Sequence, residues 1–232
     1  MQVIVIRHTA VERPDGCCIG RSDLPLSSTY AVEYPQVRDS VIQLLGGRMV
    51  SRVLTSPLSR CSRLAADLSQ DPALAFALSG QAAESDERLL EFNYGSWEGQ
   101  NWDDIDPTRL RYWMENWRLA RAGEPAGSGT DTGEPDRKGD GESLEDMLFR
   151  VADLCRDLHR KAGEASATHD RNMAVLITHA GVIRCLHHLL RRVPVSDLFS
   201  IDISYGAVAE FSLSFAPVGP QLHEGVDHAA CE

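Results

Sequence analysis

Three short apolar runs stand out along the chain, and each one is followed by polar residues and a helical pattern. The first, at 3–6, reads Val-Ile-Val-Ile, a continuous β-branched stretch typical of a strand buried on both faces. The other two lie near 51–55 and at 173–178. The hydrophobic pattern therefore predicts repeated strand–helix units.

Apolar residues recur at helical spacing in five stretches, at about 29–45, 58–69, 107–120, 144–162 and 181–191. Ser27 or Ser28 is the expected cap of the first helix, and Gly46-Gly47 ends it. Ser143, with Asp146 three residues later, predicts a capping box at the helix over 144–162.

The segments between these elements predict loops of different kinds. Residues 86–102 read as an ordered loop with a short strand, in which Trp97 and Trp102 are packing residues. The stretch 123–141 is rich in Gly, Pro, Thr, Ser and Asp and predicts a flexible insertion. Alternation over 206–215 predicts an edge strand. We expect one domain over 1–216 and a loose tail over 217–232.

Repeated strand–helix alternation predicts a three-layer α/β/α sandwich with a mostly parallel central sheet. In such sheets ligands bind at the carboxyl ends of the strands. The pattern does not give the order of the strands.

Composition and charge narrow the class of partner. A chain of 232 residues with 43% hydrophobic content and a net charge of −11 suits a globular domain with a sizeable core. The acidic balance argues against nucleic-acid and membrane-surface partners, since both attract basic faces. A phosphorylated small-molecule substrate remains compatible with the negative net charge, because a few clustered arginines make the charge positive around a binding site.

The chain carries no apolar run of about 20 residues and no signal-peptide pattern at its start. Its six cysteines include the adjacent Cys17 and Cys18 but no C-x-x-C spacing. This usage fits reduced thiols in the cytoplasm better than a disulfide framework.

Candidate catalytic residues lie where the predicted strands end. Arg7-His8-Thr9 closes the first strand, Arg60 follows the second and His179 closes the third, while Glu91 lies between the last two. A single histidine at a strand end more often has a structural role than a catalytic one. Together, two histidines, two arginines and one glutamate indicate a pocket for a phosphate.

Arg7-His8-Thr9 resembles the Arg-His-Gly motif of the histidine phosphatase (phosphoglycerate mutase-like) superfamily. The blocks at 56–61, 91–99, 141–143 and 178–181 are similar to the other motifs of that superfamily, in the same order, so the resemblance covers roughly 2–215. The loop 16–26 is most similar to the α-ribazole phosphatase branch. The resemblance also implies one antiparallel edge strand.

The resemblance implies that His8 is the nucleophile and that Arg7 and Arg60 bind phosphate oxygens. A neutral imidazole suits this role if its other nitrogen donates to a backbone carbonyl. Arginine forks bind phosphate bidentately, which lysine cannot do. His179 is expected to donate a hydrogen bond to the phosphoryl group.

Glu91 is the implied proton donor and then the base that activates water. Donation at neutral pH requires the protonated acid, which burial beside Phe92 and Tyr94 favours. Arg21 and Ser22 are candidate substrate contacts, whereas Glu98 is read as structural. We expect no metal ion and no cofactor, because arginine and histidine meet the phosphate charge.

Two departures from the superfamily pattern matter. Thr9 replaces the usual glycine, so the loop after His8 has a different backbone preference. Val11 and Pro14 stand where the mutases carry Ser and Asn, which argues against phosphoglycerate mutase activity.

We therefore predict a phosphomonoesterase that acts through phosphohistidine, with α-ribazole 5′-phosphate of cobalamin synthesis as its substrate. A broad-specificity or sugar-phosphate phosphatase is the alternative. A phosphoglycerate mutase, a phosphohistidine-protein phosphatase and a non-catalytic phospho-ligand binder are less favoured. A homodimer is left open.

Overall fold

The computed structural model describes residues 1–78, 82–116, 118, 120–123, 140–164 and 173–213. Most of the predicted insertion over 123–141 and the whole tail from 217 lie outside the described residues. The same holds for the last two positions of the strand predicted over 206–215.

The five strands of the described chain form one sheet of order β3-β2-β4-β1-β5. They are β1 (Gln2–Arg7), β2 (Arg52–Thr55), β3 (Glu84–Ser85), β4 (Met173–Thr178) and β5 (Val208–Ser212). All neighbouring strands are parallel except β5, which pairs antiparallel with β1 at the sheet edge. This confirms the predicted mostly parallel sheet with one antiparallel edge strand.

Six α-helices surround the sheet in the described chain: α1 (Tyr30–Leu45), α2 (Ser59–Gln70), α3 (Ala75–Leu78), α4 (Pro107–Glu115), α5 (Leu144–Glu164) and α6 (Ala180–Arg191). Successive residues of β1 point to opposite faces. Val3 and Val5 join the core on the side of α5 and α6, whereas Ile4 and Ile6 join the core on the side of α1 and α2. These two cores explain the run of four apolar residues. One core lies between the sheet and the helices on each face, which gives the three layers of the fold.

Several predicted boundaries need correction. The N-cap of α1 is Thr29, and its side chain makes no capping hydrogen bond. Helix α4 ends at Glu115 rather than near residue 120. The short strand lies at 84–85, before the stretch predicted to hold it, and residues 86–102 instead contain two 3₁₀ turns and the start of a third.

The predicted capping box of α5 is confirmed. The amide of Ser143 donates to Asp146 over 3.0 Å, and the amide of Asp146 donates to Oγ of Ser143 over 3.1 Å. Such reciprocal bonds satisfy two helix-end donors that would otherwise lack partners.

No described helix has the length and apolar character needed to cross a membrane. The cysteines of the described residues, including the adjacent Cys17 and Cys18, are free thiols.

The register of the sheet places the candidate residues at one edge. Arg7 pairs with Thr178 across β1 and β4, and Thr55 pairs with Ile177 across β2 and β4. His8, Ser56 and His179 therefore leave neighbouring strands at the same level.

Candidate active site

A cavity of about 150 Å³ opens at the carboxyl end of the sheet. Four of the residues singled out from the sequence line it, namely Arg7, His8, Arg60 and Glu91. They come from β1, the first turn of α2 and the loop after β3. The fold therefore brings side chains from three distant parts of the chain together in one cavity.

His8 is held rigidly at the end of β1. Its amide donates to the carbonyl of Thr178 over 3.0 Å, and its carbonyl accepts from the amide of Gly206 over 3.1 Å. Nδ1 lies 2.6 Å from the carbonyl of Thr9. Because a carbonyl only accepts, Nδ1 carries the proton, and the lone pair is left on Nε2. The predicted bond from the second ring nitrogen to a backbone carbonyl is confirmed.

The charge state of His8 follows from its surroundings. Burial, and then the positive charge of Arg60, lower the pKa of His8 from 6.5 to about 3. The imidazole is therefore neutral near pH 7, which is the state a nitrogen nucleophile requires. Thr9 is fully buried and does not adopt the positive φ that would call for glycine.

The last segment before β5 orients Arg7. Nη1 of Arg7 donates to the carbonyl of Ile203, and its guanidinium lies over the ring of Tyr205 at 3.9 Å. Burial lowers the pKa of Arg7.

Arg60 is 2% exposed and is fixed by carbonyls of the loop between β1 and α1. Nη1 donates to Ser22 over 2.7 Å and Nη2 to Gly20 over 2.8 Å. These bonds leave one N–H on each terminal nitrogen for an anion, so Arg60 presents a fork whose direction is set by the loop.

His179 lies behind this fork and is not part of the cavity surface. Its Nδ1 accepts from Nε of Arg60 over 3.4 Å, and its Nε2 lies 2.8 Å from Oγ of Ser56. The ring centroids of His8 and His179 are 5.1 Å apart. Burial lowers the pKa of His179 well below its ordinary value, so both imidazoles are neutral. The direct contact expected between His179 and a phosphoryl group is not available in this arrangement.

Glu91 is half-buried and lines the cavity. Its Oε1 accepts from the amides of Phe92 and Gly181, over 2.9 Å and 3.1 Å. Gly181 belongs to the first turn of α6, where amides point out of the helix without intrahelical partners. The carboxyl group is thereby fixed beside the histidine that precedes the helix.

The backbone carbonyl of Glu91 is also held in place by hydrogen bonds. Its carbonyl accepts from Nε of Arg21 over 3.1 Å and from Nη2 of Arg150 over 3.2 Å. Glu142 joins both arginines, at 3.2 Å from Arg21 and 2.8 Å from Arg150. Arg150 was missed in the sequence, where it looks like any polar position of helix α5.

Arg21 and Ser22, predicted as substrate contacts, are placed beside the cavity and do not line it. Arg21 binds Glu142 and the Glu91 carbonyl, and Oγ of Ser22 donates to Glu98 over 2.9 Å. Glu98 also accepts from the amides of Arg21 and Tyr94, which fits its predicted structural role. These groups order the loop that holds Arg60.

Several cavity residues were not found from the sequence. Arg13, Cys17, Tyr94, Arg184 and Tyr205 also line it. Arg184 lies four residues after Ala180, one helical turn along the same face of α6, and this spacing was a usable signal. Trp102, predicted to pack, lines the cavity and also contacts Tyr94 at a centroid distance of 5.1 Å.

Comparisons with known proteins find a matching family model and solved structures of similar fold. The model of the histidine phosphatase superfamily (branch 1) matches residues 3–224. No curated protein sequence matches the chain.

Two solved structures illustrate the similarity of fold. The mycobacterial glucosyl-3-phosphoglycerate phosphatase is 22% identical, with 91% of this chain and 89% of that chain covered and a TM-score of 0.64. A phosphoserine phosphatase from Entamoeba histolytica, in complex with 3-phosphoglyceric acid, is 17% identical, with 90% and 89% covered and a TM-score of 0.61.

Proposed function

Because this chain belongs to the histidine phosphatase superfamily (branch 1) and is a phosphatase, we propose that it hydrolyses a small phosphorylated metabolite through a phosphohistidine at His8. The observation that carries the proposal is the 2.6 Å bond from Nδ1 of His8 to the Thr9 carbonyl. It fixes the tautomer whose Nε2 lone pair is free, in a cavity that also holds Arg7 and Arg60.

In the first step, the Nε2 lone pair of His8 forms a bond to phosphorus. The bond from phosphorus to the ester oxygen breaks, and its electron pair stays on that oxygen. Arg7 and Arg60 hold the non-bridging oxygens, whose charge is spread in the transition state. Glu91, as the carboxylic acid, gives its proton to the departing oxygen.

In the second step, the Glu91 carboxylate takes a proton from water as the water oxygen bonds to phosphorus. The bond from phosphorus to Nε2 breaks, and its electron pair returns to the imidazole. Inorganic phosphate leaves, and neutral His8 is restored. Both steps need a rigid imidazole, which the hydrogen bonds of His8 supply.

His179 lies outside the cavity and contributes through its contact with Arg60. It accepts from Arg60, so we assign to it the orientation of the guanidinium fork in the free enzyme. Its direct hydrogen bond to the phosphoryl group stays a prediction, since that bond requires His179 to exchange its contact with Ser56.

The loop 16–26, which resembles that of α-ribazole phosphatases, supports α-ribazole 5′-phosphate as the first compound to test. A broad-specificity or sugar-phosphate phosphatase is the alternative. The substrates named for the two similar structures, glucosyl-3-phosphoglycerate and phosphoserine, complete the panel.

The test is to trap the covalent intermediate. The enzyme is mixed rapidly with a ³²P-labelled ester and quenched in alkali, in which phosphohistidine survives. We expect label on the wild-type chain and none on the variant His8→Ala, with His159→Ala on helix α5 as the matched control. Hydrolysis by His8→Ala at a tenth or more of the wild-type rate would refute the assignment.

A further inference from the structure

The guanidinium group of Arg7 contacts two neutral groups. Its Nη1 donates to the carbonyl of Ile203, and its Cζ lies over the ring of Tyr205, 3.9 Å from the ring centroid. Within the part of the chain that the structure describes, Arg7 forms no ion pair, whereas Arg88 and Arg150 each bind carboxylates directly. An arginine held by neutral groups keeps its positive charge available for a ligand.

The contact with Tyr205 does not consume the hydrogen-bond donors of Arg7. A cation over an aromatic ring is attracted by the π electrons of the ring face, so the contact needs no N–H group. The donors of a guanidinium lie in its plane and match the oxygens of a phosphate. Among the described residues, the buried Nε of Arg7 has no hydrogen-bond partner. At least one donor is therefore left for a phosphate oxygen.

A tight turn presents the Tyr205 side chain. The amide of Ala207 donates to the carbonyl of Ser204 over 3.1 Å, which closes a turn around Tyr205 and Gly206. Gly206 has a φ of +72°, a conformation that favours glycine. The backbone of the turn thus has little freedom to move the ring.

The same turn is bonded to the end of β1. The amide of Arg7 donates to the carbonyl of Ala207 over 2.9 Å, and the amide of Gly206 donates to the carbonyl of His8 over 3.1 Å. The ring of Tyr205 also lies beside the nucleophile, with its centroid 5.4 Å from that of His8. The backbone that carries the ring is therefore tied to the two residues whose side chains the ring contacts.

We propose that Tyr205 is a positioning residue for Arg7, whose guanidinium group its ring holds toward the reacting phosphoryl group by a cation–π contact. This inference rests on the proposed function. The contacts of Tyr205 with Arg7 and His8 are made by the ring, so the ring and not the hydroxyl carries the role.

A neutral ring suits this role better than a carboxylate does. A carboxylate in contact with Arg7 would also fix the guanidinium, but it would offset the charge that attracts the substrate and would occupy its donors. Burial lowers the pKa of Arg7, so the buried cation is stabilised further when a phosphate dianion binds. The ring orients the cation and leaves that gain to the substrate.

The first test compares side chains at position 205. Tyr205→Leu removes the ring, and we expect kcat/KM to fall about tenfold, the effect of a desolvated cation–π contact. Tyr205→Phe keeps the ring and should recover the rate to within about twofold of the wild type. Equal losses in the two variants would assign the effect to the hydroxyl and overturn the proposal. Tyr112→Leu, at an exposed tyrosine of α4, is the matched control and should change kcat/KM by less than about twofold.

Pentafluorophenylalanine in place of Tyr205 separates electrostatics from packing. The fluorinated ring keeps nearly the shape of phenylalanine, but its face repels a cation instead of attracting it. We expect a loss at least as large as that in Tyr205→Leu. A rate equal to that of Tyr205→Phe would refute the cation–π contact. Because this variant fills the same space, the result also decides the matter if Tyr205→Leu fails to fold.

Two further comparisons connect the effect to Arg7. Tyr205→Leu should lose the same factor on p-nitrophenyl phosphate and on glycerol 3-phosphate, because Arg7 binds the phosphoryl group that both esters share. A loss on only one ester would make Tyr205 a contact of the leaving group instead. In the Arg7→Gln background, Tyr205→Leu should cost less than about twofold more. A tenfold loss there would show that the ring acts without Arg7.

Binding of inorganic phosphate separates this inference from the proposed function. If the wild type hydrolyses no phosphate ester, the proposed function fails. Calorimetry with inorganic phosphate then tests the positioning role alone: Kd should rise about tenfold in Tyr205→Leu and stay within about twofold in Tyr205→Phe. Equal Kd values for wild type and Tyr205→Leu, or no binding to the wild type, would refute the role of Tyr205.

Discussion

The carboxyl group of Glu91 lies on the backbone amide of Gly181, with the two oxygens 3.1 Å and 3.3 Å from the nitrogen. This contact joins the loop after β3 to the first turn of α6. It also explains the glycine, because a Cβ atom at this position would overlap Oε1 of Glu91 and lie 2.9 Å from Cε of Met147.

Gly181→Ala should therefore displace the carboxyl group while leaving the nucleophile in place. We expect kcat for an alkyl phosphate to fall by about tenfold or more, because proton donation depends on position. Gly163→Ala is the matched control, since a Cβ there meets no atom within 4 Å. Gly163 is exposed and lies in the last turn of α5, so alanine there should change the free energy of unfolding by at most about 0.5 kcal/mol. Equal kcat values in both variants would contradict the placement of Glu91.

Glu91→Gln removes the proton but keeps the shape of the side chain. We expect a loss of about 100-fold or more in kcat on an alkyl phosphate. The loss on p-nitrophenyl phosphate should be much smaller, because that leaving group needs little protonation. Steady-state kinetics with both esters, and Glu164→Gln as an exposed control, measure the difference. Equal losses on the two esters would rule out the acid role.

Burial of neutral His8 makes stability depend on pH. The pKa of His8 is about 3 in the folded protein and 6.5 in the unfolded chain. Between these values the unfolded chain binds a proton that the folded chain does not, so stability is lost as the pH falls. From pH 6 to pH 5 the histidine should remove about 1 kcal/mol of the free energy of unfolding.

Denaturant titrations at the two pH values, on wild type and His8→Asn, measure that contribution. The variant should lose about 1 kcal/mol less than the wild type over the same interval. A parallel pH dependence in the two proteins would show that His8 is charged in the folded state.

Arg150 should prove a structural support of the Glu91 loop. Its guanidinium donates to the carbonyls of Arg88, Leu90 and Glu91 and pairs with Glu142. Arg150→Gln removes this donor from the carbonyls of Arg88 and Leu90, and it leaves the mostly buried Glu142 carboxylate with Arg21 and the amide of Asn93 as partners. We expect a loss of about 3 kcal/mol in the free energy of unfolding.

Arg156→Gln on the same helix is the comparison for that measurement. Its ion pair with Asp153 is exposed, with 42% and 56% of the two side chains accessible. Removing it should cost at most about 0.5 kcal/mol. Similar losses in the two variants would mean that the contacts of Arg150 with the loop contribute little.

The secondary structure could be read from the sequence because its signals are local. Val3 to Ile6 predicted a strand buried on both faces, and the two cores on either side of β1 confirm it. Ser143 and Asp146 predicted a helix start through bonds between residues three positions apart. Where the local signal was weak, as at the end of α4 and at the strand 84–85, the predicted boundaries were wrong.

The sequence also singled out Arg7, His8 and Arg60, which lie at a strand end or a helix start, and Glu91, whose block at 91–99 resembles a motif of the superfamily. Only the tertiary structure decided that His179 stands behind Arg60, that Arg150 holds the Glu91 carbonyl, and that Arg13 and Arg184 share the cavity. Which side chains meet across distant elements depends on strand order, register and helix packing. These are properties of the whole fold, and no short stretch of sequence contains them.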